Sequence, residues 1–137
     1  MELRFTYQEI SGMIEKKAGR PLPLVYGGPH TVRMSYDVNV MFKTTSVGID
    51  LTVERIVGSD IYLAFDGGSG IDFMLRQVIS KAKKRPGGEM IEMLGGNRIL
   101  LCLSKNSQAD MFFDHVSLED IRFDERYVIV QFTPKGA

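Results

Sequence analysis

The stretch Thr31–Asp66, "TVRMSYDVNVMFKTTSVGIDLTVERIVGSDIYLAFD", decides the fold class, because its apolar residues recur at every second position. Val32, Met34, Tyr36, Val38, Val40 and Phe42 alternate with Arg33, Ser35, Asp37, Asn39 and Met41. Successive side chains of an extended chain point to opposite faces, so this spacing predicts a long strand with one apolar face. Val47, Ile49, Leu51 and Val53 alternate in the same way with Gly48, Asp50 and Thr52. "VGSD" then marks a turn, and Ile61, Leu63 and Phe65 predict a third strand. Three strands on short connections read as an antiparallel meander that buries one face.

Upstream, the period is 3.6 rather than 2. Thr6 and Glu9 have the spacing of a capping box, with Phe5 and Ile10 at the flanking staple positions. Ile10, Met13, Ile14 and Ala18 form an apolar stripe, and Gly19 followed by Pro21 and Pro23 stops the pattern. A helix over Tyr7–Ala18 is predicted. "RPLPLVYGGPH", residues 20–30, reads as a turn-rich connection.

Downstream, "DGGSGIDFMLRQVISKAKKRPGG", residues 66–88, sets glycines ahead of a second helical stripe: Ile71, Met74, Leu75, Val78, Ile79 and Ala82. The glycines suit neither phosphate motif. No lysine follows at the Walker spacing, and Phe73 stands where a dinucleotide fingerprint needs its third glycine. Ser69 and Asp72 instead predict a second capping box, and Lys81, Lys83, Lys84 and Arg85 complement the negative end of the helix dipole. Further strands are predicted at 98–103, 113–121 and 127–133. An echo links "LTVERIVGSDIYLAF" (51–65) with "VSLEDIRFDERYVIVQF" (116–132), setting Val53 with Leu118, Glu54 with Glu119 and Ile56 with Ile121. An internal repeat and two similarly patterned hairpins both account for such a match.

The 137 residues fit one domain with its own core. Formal net charge is zero, which supplies no field to draw the chain to DNA, so no nucleic-acid partner is expected. The single cysteine, Cys102, lies in apolar "RILLCLS" and reads as an inert buried thiol. No run has the length of a membrane span, and a cytoplasmic location is expected.

Candidate chemistry is sparse. Asp114 and His115 are adjacent, so in a strand they would face opposite ways and could not share a metal. His30 follows Pro29 in a turn, no serine occupies a nucleophile elbow, and no pair of carboxylates is singled out. No catalytic residue, metal or cofactor is therefore expected, and the chain reads as non-catalytic.

The expected fold is α+β. A long curled antiparallel sheet packs around two amphipathic helices in the order αβββαβββ. A capped helix, long alternating strands, a second helix and a closing "VSLEDIRFDERYVIVQF" resemble, by layout, the tubular lipid-binding superfamily related to the bactericidal/permeability-increasing proteins. The resemblance implies a sheet wrapped around a helix to enclose a tube for lipids, and in so short a chain dimerisation is the route to completing one. Two functions follow. The first is a binding module for a hydrophobic or amphiphilic ligand held between helix and sheet. Met13, Met34, Met74, Leu75 and Val78 would form its apolar lining, and Lys81, Lys84 and Arg85 would meet an anionic headgroup. The alternative is an interaction domain with a closed core, which meets another protein through a sheet edge or an apolar patch.

Overall fold

Thr6 is the hinge between the first two elements. In the computed structural model it ends strand β1 (Glu2–Thr6) and caps helix α1 (Tyr7–Ala18). Its Oγ1 accepts from the Glu9 N–H at 3.1 Å, and Glu9 Oε1 accepts from the Thr6 N–H at 3.0 Å. Gly19 closes the helix in the left-handed region, at φ 77°, and its N–H donates to the Glu15 carbonyl. Phe5, Ile10 and Ile14 pack against the core, so the staple and most of the stripe behave as the spacing predicts. Met13 does not: it is 50 % exposed.

The structure describes residues 1–19, 22–67, 76, 79–80, 84, 90–105 and 111–135, with the backbone alone for residues 17, 18, 36 and 38–40. The remaining strands are β2 (Leu24–Gly28), β3 (Thr31–Val40), β4 (Lys43–Val57), β5 (Asp60–Asp66), β6 (Ile91–Leu94), β7 (Arg98–Cys102), β8 (Val116–Phe123) and β9 (Tyr127–Pro134). They form a six-stranded sheet, β2-β3-β4-β5-β7-β6, and a three-stranded sheet, β1-β9-β8, with every pairing antiparallel.

The expected α+β layout with two amphipathic helices in the order αβββαβββ is therefore wrong. The described chain is mostly sheet, split in two, and α1 is its one long helix. Three strands escaped the sequence reading, each for a physical reason. β1 is short and runs straight into the helix cap. β2 carries Gly27 and Gly28 next to Pro29, which read as a turn. As an edge strand it tolerates them, at a register shift between Tyr26 and Gly28. β6 has four residues, too few to show a period. Of the second predicted helix, Arg76, Ile79 and Ser80 are described and helical, and Ile79 is buried in the core. The Ser69–Asp72 capping box lies outside the described residues. Phe113, expected in a strand, sits in a helical turn ahead of β8 and packs its ring with Phe112 and Phe132.

Two apolar clusters meet between the sheets. One gathers Leu22, Leu24, Val32, Met34, Ile49, Phe65, Ile79, Ile99, Phe123 and Val128. The other gathers Ile61, Phe113, Val116, Leu118 and Phe132. Val53, Leu63, Ile121 and Val130 pack against both and join them.

The cap is measurable. Thr6→Ala removes the acceptor for a free helix N–H and should lower stability by about 0.5–2 kcal/mol in urea denaturation. An unchanged midpoint would mean the box contributes nothing.

Candidate functional site

Two hairpins, β4–β5 and β8–β9, each contain one extra residue in their first strand. In β4–β5 the pairing slips between Val53, opposite Leu63, and Arg55, opposite Tyr62. In β8–β9 it slips between Leu118, opposite Phe132, and Asp120, opposite Gln131. A β-bulge sets two consecutive side chains against one partner and re-aims them. Val53 and Ile56 stay on the packed side while Glu54 and Arg55 are both exposed between them. Leu118 and Ile121 likewise flank Glu119 and Asp120. The bulged residues are those aligned by the sequence echo: Glu54 and Glu119 hold the same place in their hairpins.

The bulges lie side by side. Between them opens a cleft of about 300 Å³ lined by His30, Val53, Glu54, Arg55, Ile56, Glu119 and Asp120. The Pro29–His30 turn spans both strands, because the His30 carbonyl accepts from Val53 N–H at 2.8 Å and the Pro29 carbonyl from Phe123 N–H at 2.8 Å. The charged groups here engage one another. Arg98 Nε donates to Glu54 Oε1 at 2.7 Å, and that hydrogen bond holds the Glu54 carboxyl below its usual range. The Arg55 guanidinium lies 4.2 Å from the centroid of the Tyr62 ring. His30 Nε2 stands 3.9 Å from Asp120 Oδ1. No set of three metal-ligating side chains converges among the described residues. The cleft is a polar seam between the sheets: the Arg98–Glu54 ion pair lies within the six-stranded sheet, and His30 and Asp120 face each other across the gap.

A second feature lies at the far end of β3 and β4. Their pairing runs without a slip from Thr31–Thr52 to Val40–Lys43, so the turn is the two residues Met41 and Phe42. Both have positive φ, 47° and 71°, the signs of a type I′ hairpin. Such turns normally take Asn-Gly, since a Cβ is strained in the left-handed region. The neighbouring hairpin turn, Gly58–Ser59, places a glycine at its positive φ of 63°. Met41 and Phe42 are instead large, apolar and fully exposed, at 88 % and 108 %. The strand predicted to run on through Phe42 thus ends at Val40, and its last two residues form an apolar apex.

That apex stands on a projecting ribbon. β2 pairs with β3 only from Thr31 to Met34, and β5 pairs with β4 only from Asp50 onward. Among the described residues, the two strands from Ser35 to Gly48 pair in the sheet only with each other. Lys43, Thr44, Thr45 and Ser46 behind the apex are exposed.

The residues expected to line a lipid site are dispersed. Met34 is 7 % exposed inside the core, and Met13 faces away from it on α1. Lys84 is exposed in a turn. Met74, Leu75, Val78, Lys81 and Arg85 lie outside the described residues. Asp114 and His115 fall in a turn rather than a strand. Cys102 is half-buried, and burial together with nearby Asp60 pushes its thiol pKa up, away from reactivity. No helix among the described residues is long and apolar enough to cross a membrane.

The Arg98–Glu54 contact fixes a pH dependence. A carboxyl depressed by folding stabilises above its unfolded pKa of about 4.3, and this contribution is lost as pH falls through the folded value. The side-chain carboxyl resonance of Glu54 should titrate below the ordinary glutamate value and move up in Arg98→Met. A midpoint unaffected by that substitution would remove the ion pair from the seam.

Compared with protein-family models, curated proteins and solved structures, the chain matches none.

Proposed function

We propose that this chain is a non-catalytic interaction domain that docks through the apex of the β3–β4 ribbon. The observation that carries the reading is the pair Met41–Phe42, bulky and apolar at a turn whose geometry favours Asn-Gly. Each residue held in the left-handed region costs about 1–2 kcal/mol, and each exposed apolar side chain forgoes about 1.5–3 kcal/mol of burial. Both costs fall on the same two positions. Strain kept at one exposed place points to use of that place, because nothing in the fold is gained by it. Burial of Phe42 and Met41 against a partner would recover the second cost, and aromatic anchors of this kind dominate binding surfaces.

This reading favours an external partner over a lipid enclosed between helix and sheet. Of the expected lining, Met34 belongs to close-packed core and Met13 points outward. Among the described residues the two most exposed large apolar side chains are Met41 and Phe42 at the apex, ahead of Met111 and Met1. The cleft at the paired bulges is less suited to docking, since Glu54 and Arg55 are engaged with Arg98 and Tyr62.

Two measurements test it. Met41→Asn with Phe42→Gly should raise stability by about 1–2 kcal/mol, since both residues then suit the turn. A drop in stability would mean that the native side chains pack within the fold. In cells, a photoreactive diazirine residue at position 42 should form adducts well above those from position 105, an exposed control. Adducts joining two copies would identify a homodimer as the docked state. Equal yields at the two positions would overturn the docking role.

A further inference from the structure

Along β4, the exposed residues behind the apex change in polarity in a set order. The apex is Met41 and Phe42. Directly behind it is Lys43, the only charge in the twelve residues between Asp37 and Asp50, "VNVMFKTTSVGI". Next come the exposed hydroxyls of Thr44, Thr45 and Ser46. Acid first appears at Asp37, whose Oδ1 accepts from Ser46 Oγ at 2.6 Å, and further back Arg33 Nε donates to Asp50 Oδ1 at 2.9 Å. At roughly 3.3 Å per residue, Ser46 and Asp37 stand about 13 Å behind Phe42.

We propose that the partner docked at the apex is a membrane surface carrying anionic lipid, into which Met41 and Phe42 insert. This rests on the docking role proposed above and names its partner. An interfacial element buries its apolar part about 5–10 Å, to the boundary between headgroups and acyl chains. The apex fits that depth, and the carboxylates of Asp37 and Asp50 stay outside it. Lys43 falls at the level of the headgroups, where one cation is attracted to phosphatidylserine and its aliphatic stem runs along the apolar layer. A protein pocket would need a shape matched to two large side chains on a two-residue turn. A lipid interface makes no such demand. Insertion to this depth takes in little more than the two turn residues, so the outward-facing backbone groups of the ribbon, which no neighbouring strand pairs, stay in water or among the headgroups.

The chain contains no tryptophan, so Phe42→Trp introduces a single indole fluorophore at the apex. With phosphatidylcholine–phosphatidylserine vesicles its emission should shift to the blue and be quenched by lipids brominated on the acyl chain. Pure phosphatidylcholine should give a smaller effect, and added salt should reduce the difference. In co-sedimentation of the otherwise native chain, Met41→Asn with Phe42→Gly should weaken vesicle binding by about a hundredfold, roughly tenfold for each apolar side chain lost. Lys43→Glu should weaken binding to the anionic vesicles and leave pure phosphatidylcholine unaffected. Met13→Ser, an exposed apolar residue elsewhere, should change neither. Unshifted indole emission from the Phe42→Trp variant with both vesicle types would overturn the membrane partner. If position 42 still formed protein adducts in cells, docking would stand with a protein as its partner. If it formed none, both readings would fall together.

Discussion

The Pro29–His30 turn is the point on which the two sheets depend. Its carbonyls accept one hydrogen bond from Val53 in the six-stranded sheet and one from Phe123 in the three-stranded sheet. These are backbone groups at the places where regular pairing is disturbed or ends, and a buried N–H without a partner costs about 1–3 kcal/mol. One turn meets both needs. It also fixes how the sheets face each other, which lets Val53, Leu63, Ile121 and Val130 belong to both apolar clusters. The bulges complete the arrangement. Without the extra residues Glu54 and Glu119, each strand would carry one outward side chain at the seam instead of two, and the ion pair to Arg98 would lose its acid.

Much of this was legible in the residues. The first helix is written in Thr6, Glu9 and Gly19, whose capping chemistry is local and owes nothing to tertiary structure. The bulges were also present as "VERI" and "LEDI", in which apolar positions fall three apart within runs where they otherwise fall two apart. The sequence echo noted those residues without stating the cause. The hairpin apex left a signal too. Apolar residues occupy even positions from Val32 to Val40 and odd positions from Val47 to Val53. Such a change of parity is what a two-residue turn between Val40 and Lys43 requires. Phe42 hid it, because an apolar residue at an even position prolongs the first strand's rhythm. A turn made of Met and Phe defeats any reading based on turn residues, since it lacks the glycine and asparagine that mark one.

The short strands were illegible for a different reason. β1, β2 and β6 have five, five and four residues, each pairs with one neighbour only, and each sits at a sheet edge. Edge strands are specified by the partner they meet more than by their own pattern. The expected apolar lining failed on the same ground. Met34 has the right period for a buried face, but the period cannot say whether that face meets a ligand or Leu24 and Ile49. Burial is readable in one sequence; emptiness is not.

The ribbon is rooted in the core. Met34 and Ile49 stand opposite each other where it leaves the sheet, and both are buried, Ile49 almost completely. Beyond them the pairing continues without a slip to the apex, so every residue between is held in register. A hairpin in isolation is marginal, yet one that extends an established sheet inherits its alignment from the strands behind it. That inheritance is what allows two residues at the tip to keep an unfavourable conformation. The strain is local, the restoring register is long, and the cost is confined to residues that take no part in the core. At such an apex the side chains need not be those that suit the turn.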